Sequence, residues 1–156
     1  MGSAQQYDVD FYSWTQEQAA LLRAAPAIGS LDLENIAEEI EDLGRSAIRA
    51  IASLLHRVLA HLLKMAIAPG SRDRERWLTE VFAFHADIIL TFSPGLRQRL
   101  DLPLIWRVAK NGATRLLESS GVTAPALPED CPLTLDDLLD PEFDPLRAVA
   151  VITASI

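Results

Sequence analysis

The chain has 156 residues, 49% of them hydrophobic and 23% charged, with a formal net charge of −8. That length suits one domain able to bury a sizeable core, and that hydrophobicity excludes a disordered chain. A lone cysteine, Cys131, excludes an internal disulfide framework.

With no basic-then-apolar leader visible, the cysteine usage points to a reducing cytoplasm. No run supplies the roughly 20 consecutive apolar residues of a membrane span. The most apolar stretch, Leu54 to Ala68, is interrupted by His56, Arg57, His61 and Lys64. Membrane association is therefore not expected. Charge is unevenly spread. Residues 1–43 carry nine acids against Arg23, residues 44–121 twelve Lys or Arg against six acids, and residues 122–156 seven acids against Arg147. Acidic ends folding over a basic middle and plain solvated faces are both compatible with this. Overall acidity disfavours a nucleic-acid surface, even though Arg72, Arg74, Arg76, Arg97 and Arg99 gather at the ends of a helical hairpin.

Apolar periodicity is helical throughout, and alternating β-rich runs are missing. A first helix is predicted over Phe11 to Ala25, with Tyr7, Phe11, Trp14, Gln18 and Leu21 on one stripe and Asp10 or Ser13 as cap. A second, the longest, spans Asp32 to Ala68. Its stripe steps through Ile36, Ile40, Leu43, Ala47, Ile51, Leu54, Val58, His61 and Met65. Gly44 costs that helix about 1 kcal/mol relative to Ala and marks a close contact or a bend. Toward Ala68, Leu55, Leu59, Leu62 and Leu63 spread the apolar character around the circumference, so this end is the more deeply buried.

Pro69-Gly70-Ser71 is short enough to force an antiparallel hairpin into a third helix, Arg72 to Phe92, carrying Trp77, Val81, Phe84 and Ile88. A short turn over Gly95 to Asp101 follows. A fourth helix runs from Pro103 to Ser120, with Ile105, Val108, Ala109, Gly112 and Leu116 as its inner face and Gly121 as its C-terminal cap. Thr134 to Asp137 reads as a capping box opening a short helix to Asp140. Residues 144–156 form an apolar tail that either packs as an edge or frays. The fold class is all-α: a single helical domain of about four main helices and a short C-terminal helix, its core within about residues 7–143.

Three stretches carry a further pattern. They are Tyr7-Asp-Val-Asp-Phe-Tyr-Ser-Trp-Thr-Gln-Glu-Gln18; Glu34-Asn-Ile-Ala-Glu-Glu-Ile-Glu-Asp-Leu-Gly-Arg-Ser46 with His61-Leu-Leu-Lys64; and Leu127 to Asp140. In polar as well as apolar positions, and in their order, they resemble the bacterial domain-of-unknown-function family twenty-nine (DUF29), over most of the chain. Met65 stands where that family suggests tryptophan, and Ala47-Ile48 replace a more polar pair. The resemblance implies a compact helical domain and no particular reaction.

Three groups of residues are candidates for chemistry or binding. A metal between the second and third helices would use His61, His85, Glu80 and His56, since helical bundles hold metals on facing Glu and His. With the turn centred near Gly70, His56 lies level with His85 and His61 level with Glu80, about 7.5 Å apart along the axis. The helical wheel sets His61 at the edge of the apolar arc and His56 on its far side. The Glu-x-x-His spacing of di-iron bundles is missing, because Ser53, Val58 and Phe82 precede the three histidines. The acidic cluster Glu38, Glu39, Glu41 and Asp42 spreads around its helix, and Glu38 and Asp42 are expected to meet Arg side chains of the third or fourth helix. Phe11, Trp14 and Cys131 are candidate clasps for a partner. No phosphate loop, Gly-x-Ser-x-Gly elbow or Cys-x-x-Cys pair occurs. No cofactor is predicted, and the expected role is that of a non-enzymatic helical module binding another protein or a second copy, with a metal-binding or catalytic bundle as the rival.

Overall fold

A computed structural model describes residues 3–156, and among these every regular element is helical. The elements are α1 (Ser3–Val9), α2 (Phe11–Ala24), α3 (Leu33–Ile67), α4 (Arg74–Thr91), a 3-10 helix (Pro94–Arg99), α5 (Leu102–Ser119), α6 (Leu135–Leu138) and α7 (Pro145–Ala154). They divide into two compact units. One comprises the segment ending at Ile51 with Phe92–Leu100, the other Ala52–Thr91 with Asp101–Ile156. The long α3 contributes its first half to one and its second half to the other. By length and composition α3 would suffice to cross a membrane, but half of its most apolar window is buried within the protein, as in a core helix.

In the first unit Asp10 caps α2, its carboxylate accepting from the Ser13 amide at 3.2 Å and the Ser13 hydroxyl at 2.8 Å. Burial alone would raise the Asp10 carboxyl; hydrogen bonds from Ser13, the Gly95 backbone and Ser93 hold it below its usual value. The face that α2 buries is Tyr12, Thr15 and Ala19, and not the Phe11–Trp14–Gln18 stripe expected from periodicity. Small residues explain the difference. Ala37 and Gly44 of α3 are buried, and a Cβ on Gly44 would lie 2.4 Å from the Thr15 hydroxyl. Gly44 therefore marks a close helix approach. Thr15 tolerates complete burial because its hydroxyl donates to the Tyr12 carbonyl at 2.7 Å. Segment 94–99, expected as a turn, is a 3-10 helix whose Leu96 is buried.

In the second unit the end of α3 is buried around its circumference, through Leu55, Val58, Leu59, Leu62, Leu63 and Met65. The hairpin with α4 is in the expected register. Arg57 lies over the Phe84 ring, Lys64 over Trp77, and the Arg74 guanidinium donates to the Met65 carbonyl at 2.8 Å. The inner face of α5 is Ile105, Trp106, Ala109, Ala113 and Leu117. Of the expected inner residues, Val108, Gly112 and Leu116 are exposed, which is a rotation of the contact by about one residue. The capping box forms as expected: the Asp137 amide donates to the Thr134 hydroxyl, and the Thr134 amide donates to the Asp137 carboxylate. The tail does not fray. Asp144 caps α7, Pro145 takes its first turn, and Ala148, Val149 and Ile152 are buried.

Candidate functional site

The polar pair nearest to a chemical site lies on the α3–α4 hairpin. His61 sits at the border of the apolar arc, its side chain 13% exposed, and its Nε2 is 2.8 Å from a Glu80 carboxylate oxygen. The Lys64 ammonium approaches the other ring nitrogen, Nδ1, at 3.3 Å. That arrangement assigns a neutral imidazole: Nε2–H donates to Glu80 and Nδ1 accepts from Lys64. The ring also stacks on Phe84, with centroids 5.8 Å apart. Burial, and then the Lys64 charge, push the His61 pKa down to about 4 against the opposing pull of Glu80. Burial likewise lowers the Lys64 ammonium, with Glu80 opposing. The relay Lys64–His61–Glu80 staples one helix to the other. To do chemistry it would need a concave space for a substrate. Four clefts, at α6–α7, at the start of α3, at the Asp10–Gly95 node and at the Ser71–Trp77 turn, are lined by other residues.

The other candidates do not join this pair. His85 stacks on Phe143 with centroids 4.7 Å apart, and burial lowers its pKa while the Leu138 and Asp140 backbone oppose the shift. His56 is half-buried, lowered by burial and by the Arg57 and Lys64 charges. Among the described residues no group of three or more His, Cys, Asp or Glu is arranged to hold a metal ion. Elsewhere, Asp137, Asp140, Glu142, Asp144 and Arg147 line a cleft of about 280 Å³. Three of these carboxylates already hold backbone amides, those of Thr134, Glu142 and Leu146.

The acidic cluster of α3 is answered from a different place than expected. Arg23 of α2 grips Glu41 through two hydrogen bonds, at 2.7 and 3.1 Å, and reaches Glu34 at 3.0 Å. Arg45, on α3 itself, pairs with Asp42 and Glu41. The supplier is thus α2 and the helix's own next turn, in place of the third or fourth helix, while Glu38 and Glu39 are exposed. Phe11 and Trp14 form a half-exposed aromatic cluster with Tyr7, the Tyr7–Trp14 rings meeting edge-on at 4.7 Å. Burial pushes the Cys131 thiol up to about 11, the reverse of what a nucleophile needs.

What periodicity misplaced is more informative. On the first half of α3, Ile36 and Leu43 are exposed, Leu43 by 53%, and with Ile40 they line an apolar groove of about 360 Å³ edged by Asp32 and Glu39. On α5, Leu104, Val108 and Leu116 are exposed by 44%, 49% and 52%, beside Arg107 and Arg115. The signal was present in the sequence as apolar arcs wider than one packing contact can cover.

Residues 6–144 match the family described as Domain of unknown function DUF29. The chain belongs to that family. The DUF29 chain is also similar, at 39% identity and a TM-score of 0.87, to an alpha-helical protein of unknown function from Rhodospirillum rubrum known from a crystal structure. That similarity covers 92% of this chain and 95% of the other. No curated protein matches it.

For this DUF29 chain the His61 environment sets a pH response. Its folded pKa, about 4, lies below the ordinary 6.5, so the unfolded chain binds the proton first as pH falls. The stability it contributes is complete above about pH 6.5 and is lost progressively toward pH 4. Glu41, Asp10 and Asp137, lowered from 4.5, 3.8 and 3.8, act in a more acidic range. In urea titrations, the native chain is expected to lose on the order of 2 kcal/mol more than His61→Gln between pH 7 and 4.5. Parallel profiles would contradict this account.

Proposed function

We propose that this chain is a non-enzymatic helical module that binds another protein chain. The supporting observation is the pair of exposed apolar helix faces, Ile36–Ile40–Leu43 on α3 and Leu104–Val108–Leu116 on α5. Single exposed apolar residues are commonplace. A continuous stripe edged by charge on a well-formed helix is the pattern of an interaction surface. The groups able to do chemistry support the same reading by what they already hold. His61 and Glu80 staple a hairpin, and the acidic residues Glu41 and Asp42 pair with Arg23 and Arg45.

Quantitative affinity capture with the tagged full chain, against the variant Leu43→Glu/Leu116→Glu, tests this. Both residues are half-exposed, so the variant keeps its helicity. The expected result is a protein retained in near-equimolar amount by the native chain and lost with the variant. Empty capture by the native chain, or equal capture by both, would count against the proposal.

A further inference from the structure

A mid-helix glycine normally has a packing reason, because it costs about 1 kcal/mol relative to alanine. Gly44 has one in its contact with Thr15, but Gly112 has none among the described residues: a Cβ added there meets nothing within 4 Å. Gly112 lies one turn from Val108 and one from Leu116, in the middle of the exposed α5 stripe that begins at Leu104. From Leu104 to Leu116 that stripe is about 18 Å long. Arg107 and Arg115 edge it, two turns apart on one side and exposed.

The α3 stripe is its counterpart in length and charge. From Ile36 through Ile40 and Leu43 to Ala47 it runs about 16 Å. Asp32 and Glu39 edge it on one side, also two turns apart and exposed. One face is apolar with two cations, and the other is apolar with two anions at nearly the same spacing. A glycine midway along the first lets a large side chain of the second, Ile40 or Leu43, approach the backbone.

From this complementarity we infer that the occupant is a second copy of this chain, the Ile36–Leu43 face of one copy docking on the Leu104–Leu116 face of the other across Gly112. Each copy carries both faces, so the chain itself supplies both partners of the contact. The inference rests on the protein-interaction reading above and names its partner. Apolar burial supplies the attraction, while the Asp32 and Glu39 edge against Arg107 and Arg115 sets register and makes association salt-sensitive.

Sedimentation velocity of the full chain over a roughly hundredfold concentration range tests it, with circular dichroism confirming each variant's fold. The native chain is expected to be a dimer that weakens with added salt. Gly112→Leu, whose side chain enters open space, is expected to be a folded monomer with a melting temperature no lower than the native one. Arg107→Glu/Arg115→Glu and Asp32→Lys/Glu39→Lys are each expected to be monomeric, and the four changes together to restore the dimer. A native chain monomeric at every concentration overturns the inference, as does a dimer that Gly112→Leu and both charge reversals leave intact. The persistent dimer would leave the protein-interaction reading standing with a different face. A native monomer together with empty affinity capture would remove both.

Discussion

Replacing Trp106 with alanine is expected to cost about 3–5 kcal/mol, the largest effect of any single change considered for this chain. The side chain is fully buried on the inner face of α5. Its indole N–H donates to the Pro128 carbonyl at 3.3 Å, tying the proline-rich segment to that helix. Truncation leaves a cavity that a helix packed through Ile105, Ala109 and Ala113 cannot close by small shifts. It does not orphan the carbonyl, because the Lys110 ammonium also donates to it, at 3.0 Å. Trp106→Phe keeps most of the volume and is expected to lose about 1–2 kcal/mol. Urea unfolding followed by circular dichroism measures both. A total loss of 5–15 kcal/mol unfolds a typical domain, so the alanine variant sits near the edge of folding. A loss below about 1 kcal/mol would show that α5 is not anchored this way.

Gly44→Ala is the second large effect, and it runs against helix propensity. In an open helix the change stabilises by about 1 kcal/mol. Here the new methyl would sit 2.4 Å from the Thr15 hydroxyl, 3.0 Å from the Gln16 amide nitrogen and 3.3 Å from the Tyr12 ring. Thr15 is β-branched and completely buried, so it has no free rotamer to retreat to. Overpacking of this kind costs typically 1–3 kcal/mol, and α2 must separate from α3 to relieve it. The expected net loss is about 2 kcal/mol. Thr15→Ala in the Gly44→Ala background removes the obstructing oxygen and is expected to recover at least half of it. Thermal melts of the four members of the cycle read this directly. Additive losses would mean that Thr15 and Gly44 do not oppose each other.

Gly44 shows how far the sequence could be read. That Gly44 marked either a close approach or a bend was legible from its place inside a strong helical pattern, and the structure decides for the approach. The partner was not, because Thr15 is polar and becomes a core residue only through its bond to the Tyr12 carbonyl. The α3–α4 register was legible because a three-residue turn leaves little freedom, and the meeting of His61 with Glu80 at 2.8 Å follows from it. The family resemblance was legible in polar positions that packing alone does not dictate. Which side of each apolar arc is buried was not. A helical wheel gives the apolar direction but not the element that covers it. On α2 and α5 small residues let neighbours approach, burying Tyr12 with Ala19 and Trp106 with Ala109, while Trp14, Val108 and Leu116 stay at least partly open. Helices α1 and α7 are short, and at seven and ten residues they offer too few turns for periodicity to register.

The proposed protein-binding role rests on the exposed stripes and not on the histidines. Hydroxyl-radical footprinting of Leu43, Leu104 and Leu116 tests that most directly, comparing the chain in living cells with the isolated chain at high dilution. The account predicts strong labelling of all three in the dilute chain and protection in cells, with Leu90, exposed by 82% and on neither stripe, labelled equally in both. Equal labelling of the three leucines in the two settings would contradict it.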